Sequence, residues 1–120
     1  MNFGQFMEEN DMSVEIFKYD RDIYDDAANM LRSAGISSQA IYDKYLEPAV
    51  KELNIRYFRD GGEIRKCNLE EVMKELELLI EWLENHVEGE DLDYLKSKLQ
   101  YMQKFIPEAL QEDDGILYIF

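Results

Sequence analysis

The chain has one cysteine, one histidine, two prolines and no long apolar run. The single cysteine, Cys67, excludes an internal disulfide and so a small domain held by disulfides. No apolar run approaches the roughly 20 residues of a membrane span, and no basic segment precedes an apolar stretch at the N-terminus. Neither a membrane anchor nor a secretory signal is therefore predicted, and a cytoplasmic protein is the expectation.

Basic residues are also scarce. The formal net charge is -14, and residues 68–120 carry 4 basic and 14 acidic side chains against 9 and 13 in residues 1–67. Such a field repels phosphate backbones and anionic lipid, so direct binding to nucleic acid or to a membrane surface is not expected. It attracts basic proteins, although an acidic surface can also serve solubility alone.

What the chain does contain is core-forming material. Hydrophobic residues make up 46% and aromatic residues 12% of its 120 residues. This length suits one domain that folds without disulfides or metal. We predict a single globular domain over residues 1–120.

The clearest pattern is an amphipathic helix from Asn68 to Glu88. Apolar residues recur at three- and four-residue steps on one side, which is the helical period. Glutamates follow the opposite side over about 27 Å of helix axis. We call Glu70, Glu77, Glu81, Glu84 and Glu88 the acidic face, and they are the first candidates for partner binding. Asn68 and Glu71 have the spacing of an N-terminal capping box.

Helical spacing predicts other helices at 20–33, at 92–107 and, more briefly, at 1–12. A helix at 37–54 is expected to begin at Ser37 or Ser38 and to be divided by Pro48. The last long helix should pack antiparallel on the acidic helix, since only a few residues separate them.

The period changes after Asn54, which predicts a β-hairpin over 55–67. A further strand at 116–120 should lie beside it. The predicted fold is mostly α, with four to five helices and a small antiparallel β element. An α+β fold is the alternative.

Signatures of catalysis and of cofactor binding are weak. Cys67 and His86 formally permit a nucleophile and base, but no local signature surrounds either residue, and an apolar role for Cys67 is favoured. The aspartates after Asp20 do not fit a calcium loop, because Asp25 stands where glycine is required. No catalytic residue, metal ligand or cofactor is predicted, and an enzyme is not expected.

The only local basic cluster lies in the predicted hairpin, where arginines alternate with aromatic residues. It either offsets neighbouring carboxylates, which is the favoured interpretation, or forms a second contact surface. Tyr57, Arg59 and Arg65 are its candidate partner-binding residues.

These features favour a binding protein. The leading hypothesis is an inhibitor or immunity-type protein, as in bacterial toxin systems, that occludes the substrate groove of a basic partner such as a nuclease toxin. One alternative is a homodimeric structural or regulatory module, paired through its C-terminal strand, with a merely solvated acidic face. Another is a nucleic-acid mimic that inhibits a DNA-binding enzyme.

Overall fold

The computed structural model describes residues 12–111 and 114–120. Within these residues the chain forms three helices and a four-stranded antiparallel sheet, with most of the regular structure in helices. The architecture is therefore α+β with a helical majority. The sheet is larger than the predicted β element, and the helix predicted at 1–12 lies outside the described residues except for Met12.

Strands β1 (Ser13–Tyr19) and β2 (Met30–Ser38) pair antiparallel at one side of the sheet. Alternate residues of β1 are buried, as expected for a strand with one face on the core. The predicted helix at 20–33 is wrong, because residues 20–29 form a loop and the remaining residues belong to β2.

Aspartate side chains hold this loop. The Asp22 carboxylate accepts the N–H of Tyr24 at 2.9 Å, and the Asp20 carboxylate accepts the N–H of Asn29 at 2.9 Å. The second bond lowers the pKa of Asp20. Side chains that bond nearby backbone groups in this way favour turns over helix, which explains the failed prediction.

Ser38 caps the N-terminus of helix α1 (39–53), and its hydroxyl oxygen accepts the N–H of Ile41 at 3.2 Å. The helix consists of an α-turn, a π-turn and an α-helix, at Gln39–Ile41, Tyr42–Leu46 and Glu47–Leu53. Pro48 lies in the first turn of the last part, where its missing N–H is tolerated. The cap at Ser38 and the division near Pro48 are confirmed, and the helix ends at Asn54 in a left-handed conformation, φ 55°.

The predicted hairpin at 55–67 is wrong. Only β3 (Glu63–Ile64) is a strand, and residues 54–62 form a loop. A 3₁₀ turn at Lys66–Asn68 then leads into the next helix. The predicted capping box also fails, because the Asn68 side chain accepts the N–H of Arg65 at 2.9 Å and does not cap the helix.

Helices α2 (Leu69–His86) and α3 (Gly89–Gln111) pack on each other. Their short connector makes the pair an antiparallel hairpin, as predicted. The predicted end near Pro107 is wrong, because α3 continues to Gln111. Residues 105, 106, 109 and 110 are buried on both sides of the proline, so core packing offsets the hydrogen bond it removes.

Strand β4 (Ile116–Ile119) is an inner strand, in the order β2-β1-β4-β3. It pairs with β3 as predicted and also with β1. All four of its residues are buried. The core lies between the helices and the sheet face that carries Val14 and Ile16, and it includes Leu46, Leu76, Leu79, Leu83, Leu95, Leu99, Met102, Ile106 and Leu117.

Candidate functional site

The acidic face lies along the outer side of α2. Four of its glutamates lie on this helix and Glu88 lies in the connector after it; all five are exposed, whereas Val72, Leu76, Leu79 and Leu83 of the helix are buried. Because the core fixes the inner side of α2, the four glutamates from Glu70 to Glu84 have fixed backbone positions over about 21 Å of helix axis. The structure therefore brings four of the five predicted residues together on one rigid surface, and Glu88 follows in the connector.

Two of these carboxylates have ion-pair partners. Glu70 lies 3.7 Å from the ammonium of Lys74, and Glu84 lies 2.7 Å from that of Lys96 on α3. Among the described residues, the other three have no salt bridge; they are Glu77, Glu81 and Glu88. These three carry the charge that is most available to a partner.

Glu75, on the inner flank of α2, has a different environment. It is 8% exposed, and its carboxylate accepts backbone N–H groups from three successive residues. The shortest N···O distances are 2.7 Å to Arg56, 3.2 Å to Tyr57 and 2.9 Å to Phe58. Charge-assisted bonds of this kind are strong, so Glu75 fixes the loop at 54–62 against the helix.

A second anchor holds the other end of that loop. The hydroxyl oxygen of Tyr42 accepts the N–H of Asp60 at 2.8 Å. Burial raises the pKa of Tyr42 to about 12. Gly62 also packs closely, since an added Cβ would lie 1.9 Å from the Tyr57 carbonyl oxygen. The loop is thus tied down at both ends, and sequence reasoning mistook it for a strand.

Two of the three candidate residues of the predicted basic cluster share a groove, and the third lies beside it. Tyr57 and Arg59 line an open groove of about 680 Å³ together with Arg56. The Arg59 guanidinium donates to the carbonyl of Arg56 at 3.2 Å. Arg65 does not line this groove; its guanidinium donates to Glu63 at 3.1 Å, and this bond raises the pKa of Arg65. Glu63 lines the groove as well, so Arg65 lies beside the groove through this ion pair.

The cysteine and histidine lie at opposite ends of α2. Cys67 precedes the helix, His86 ends it, and 18 helical residues correspond to about 27 Å. They cannot act as a nucleophile and base pair. The apolar role predicted for Cys67 is also wrong, because its side chain is exposed.

Within residues 12–111 and 114–120, no group of three His, Cys, Asp or Glu side chains is arranged to hold a metal ion. None of the helices in this part of the chain is long and apolar enough to cross a membrane. The acidic face remains the strongest candidate site.

Sequence reasoning missed one feature beside that face. Trp82 donates from its indole nitrogen to Glu52 of α1 at 2.6 Å and stacks on His86 at a ring distance of 4.1 Å. Leu78, one turn earlier, is 45% exposed. Both residues lie off the main apolar stripe of α2. A tryptophan outside that stripe is a sequence signal that could have indicated an apolar surface site.

Comparisons with known proteins give no relative. The chain matches no protein-family model, no curated protein and no solved structure. Function therefore has to be argued from the surface itself.

Proposed function

We propose that the protein is a small acidic inhibitor of the immunity type. It binds a basic protein partner, such as a nuclease toxin, and occludes that partner's substrate groove. It acts in the cytoplasm by binding, without catalysis. The acidic face of α2 is the contact surface, and its carboxylates occupy positions that nucleic-acid phosphates would otherwise take.

The observation that carries this proposal is a set of unpaired glutamates on and directly after a rigid helix. Glu77 and Glu81 lie on α2, Glu88 lies in the connector that follows it, and none of the three has a salt bridge among the described residues, in a chain of net charge -14. Fixed charges of one sign raise the rate of encounter with an oppositely charged partner and suppress wrong partners. Because α2 is already ordered, binding costs little backbone entropy.

The homodimer alternative has less support. It requires a free edge on the C-terminal strand, but β4 pairs with β1 on one side and with β3 on the other. A nucleic-acid mimic would use the same acidic face as a toxin inhibitor. Identification of the partner, as a toxin or as a DNA-binding enzyme, distinguishes the toxin inhibitor from the nucleic-acid mimic.

Affinity capture from a lysate of the native host tests the proposal. The wild-type chain is immobilised at low salt, eluted with a salt gradient and analysed by mass spectrometry. We expect one stoichiometric basic protein that elutes at high salt. Recovery of the chain alone, as a dimer, would contradict the proposal and favour the structural module.

Charge-reversal variants locate the contact surface. The acidic-face variant carries Glu77→Lys, Glu81→Lys and Glu88→Lys, and should bind the captured partner about a hundredfold more weakly. A matched control reverses the exposed acids Asp26, Asp93 and Glu108, which lie outside α2. Since both variants change net charge equally, equal losses of affinity would mean that the partner senses total charge and not this surface.

A further inference from the structure

A shallow groove runs between the end of α1 and the flank of α2. It consists of two adjoining depressions of about 230 Å³ and 120 Å³, which share Leu53 and Leu78. Trp82 lines the smaller one. The groove therefore has an apolar floor beside the acidic face. Glu81 is a member of the acidic face and also lines the smaller depression of the groove.

The charges around this groove are mainly negative. Glu71 and Lys74 line the larger depression, and Glu81 lines the smaller. Glu52 lies at the indole nitrogen of Trp82. Lys74 is itself 3.7 Å from Glu70, which offsets its charge. An occupant with basic groups around an apolar centre would complement this arrangement.

Trp82 is held in position before any partner arrives. Its indole N–H is bonded to Glu52 at 2.6 Å, and its ring is stacked on His86 with an interplanar angle of 11°. His86 in turn bonds the Trp82 carbonyl at 2.8 Å. Fixed tryptophans are frequent hot spots of interfaces, because little side-chain entropy is lost on binding.

We infer that this groove binds a basic amphipathic segment of the partner protein, and that apolar side chains of the segment pack on Leu53, Leu78 and Trp82. The inference rests on the proposed function and extends it. The acidic face attracts the partner, and the groove supplies the apolar contact that slows its release.

Two synthetic peptides of about 12 residues, or about three helical turns, test the inference. One peptide carries Leu at three- and four-residue steps on one helical face and Lys on the other face. The second peptide has the same lysines, with Ser in place of each Leu. Trp82 is the only tryptophan of the chain, so its fluorescence reports on the groove alone. We expect the Lys/Leu peptide to shift the emission to the blue and to bind more tightly than the Lys/Ser peptide.

A Leu78→Ala variant should weaken binding of the Lys/Leu peptide about tenfold and leave the Lys/Ser peptide unaffected. Leu31→Ala on β2 is the matched control, because Leu31 is 47% exposed against 45% for Leu78. It should change neither affinity. An unchanged affinity of Leu78→Ala for the Lys/Leu peptide would overturn the inference.

The outcomes separate the groove from the proposed function. If both peptides bind equally without a shift of Trp82 emission, and the acidic-face variant binds neither, the groove inference is wrong and the proposed function stands. If the acidic-face variant binds both peptides as well as the wild type, the proposed function fails, and the groove inference fails with it.

Discussion

The two sides of α2 use the same residue type for different purposes. Glu75 is 8% exposed and bonded to three backbone N–H groups of the loop at 54–62. Glu77, two residues later, is exposed and has no salt bridge among the described residues. One carboxylate organises the fold, and the other is free to meet a partner.

The difference follows from what surrounds each carboxylate. A buried carboxylate is stable only when hydrogen bonds replace its hydration, and the loop at 54–62 supplies those bonds. An exposed carboxylate keeps its water and contributes little to stability. Burial and hydrogen-bond partners, and not residue type, therefore separate structural from available charges on this helix.

Removal of Glu75 should have the largest effect on stability. Glu75→Ala leaves three backbone N–H groups without their acceptor, and we expect the free energy of unfolding to fall by about 3 kcal/mol. Glu77→Ala is the control and should change it by less than about 0.5 kcal/mol. Urea denaturation measures both. Similar values for the two variants would contradict the structural role of Glu75.

A methyl group at Gly62 should have the next largest effect. Its Cβ would lie 1.9 Å from the Tyr57 carbonyl oxygen, so the loop held by Glu75 must shift. We expect Gly62→Ala to destabilise the protein by about 2 kcal/mol. Gly35→Ala on β2 is the control, since nothing lies within 4 Å of its Cβ. Thermal unfolding of both variants checks this, and an unshifted midpoint for Gly62→Ala would mean that the loop is not closely packed.

Loss of the Tyr42 hydroxyl should have a smaller effect. Tyr42→Phe removes the acceptor of the Asp60 N–H and should cost about 1 kcal/mol at neutral pH. Burial raises the pKa of Tyr42 from 10.0 to about 12, so the folded state disfavours the phenolate. The associated stability is complete below pH 10 and is lost as the pH rises toward 12.

Urea denaturation at several alkaline pH values checks the sign of this effect. The wild type should lose more stability than Tyr42→Phe over that interval. Parallel losses in the two proteins would show that Tyr42 titrates like an exposed tyrosine.

The acidic-face variant should have the smallest effect on the fold. Reversal of Glu77, Glu81 and Glu88 to Lys breaks no salt bridge of the described residues, so unfolding free energy should change by less than about 1 kcal/mol. Circular dichroism with urea denaturation measures this change. A loss as large as that of Glu75→Ala would show that the outer side of α2 is also structural.

An element of the fold could be predicted from the sequence where the contacts that determine it are local in the chain. The acidic helix was predicted nearly to its ends, because one repeated period determines which side is buried. The loop at 54–62 was not, because its N–H groups bond Glu75 on a later helix. The first part of β2, residues 30–33, was mistaken for helix, because its partner β1 lies across a loop whose turns are held by aspartates.

The candidate site divides in the same way. The exposure of the four glutamates on α2 follows from the helical period, whereas the pairing of Glu84 with Lys96 depends on how α3 packs. The groove at Trp82 depends on the end of α1, through the bond to Glu52. Features that require two elements to meet could not be predicted from one sequence.

The most direct test of the acidic face is the salt dependence of its binding. The captured partner is titrated by calorimetry against the wild type and the acidic-face variant, from about 50 to about 300 mM NaCl, over which range screening strengthens. We expect the wild-type affinity to fall steeply with salt and the variant to bind weakly with a much shallower slope. Equal affinities and equal slopes for the two proteins would contradict the assignment of α2 as the binding surface.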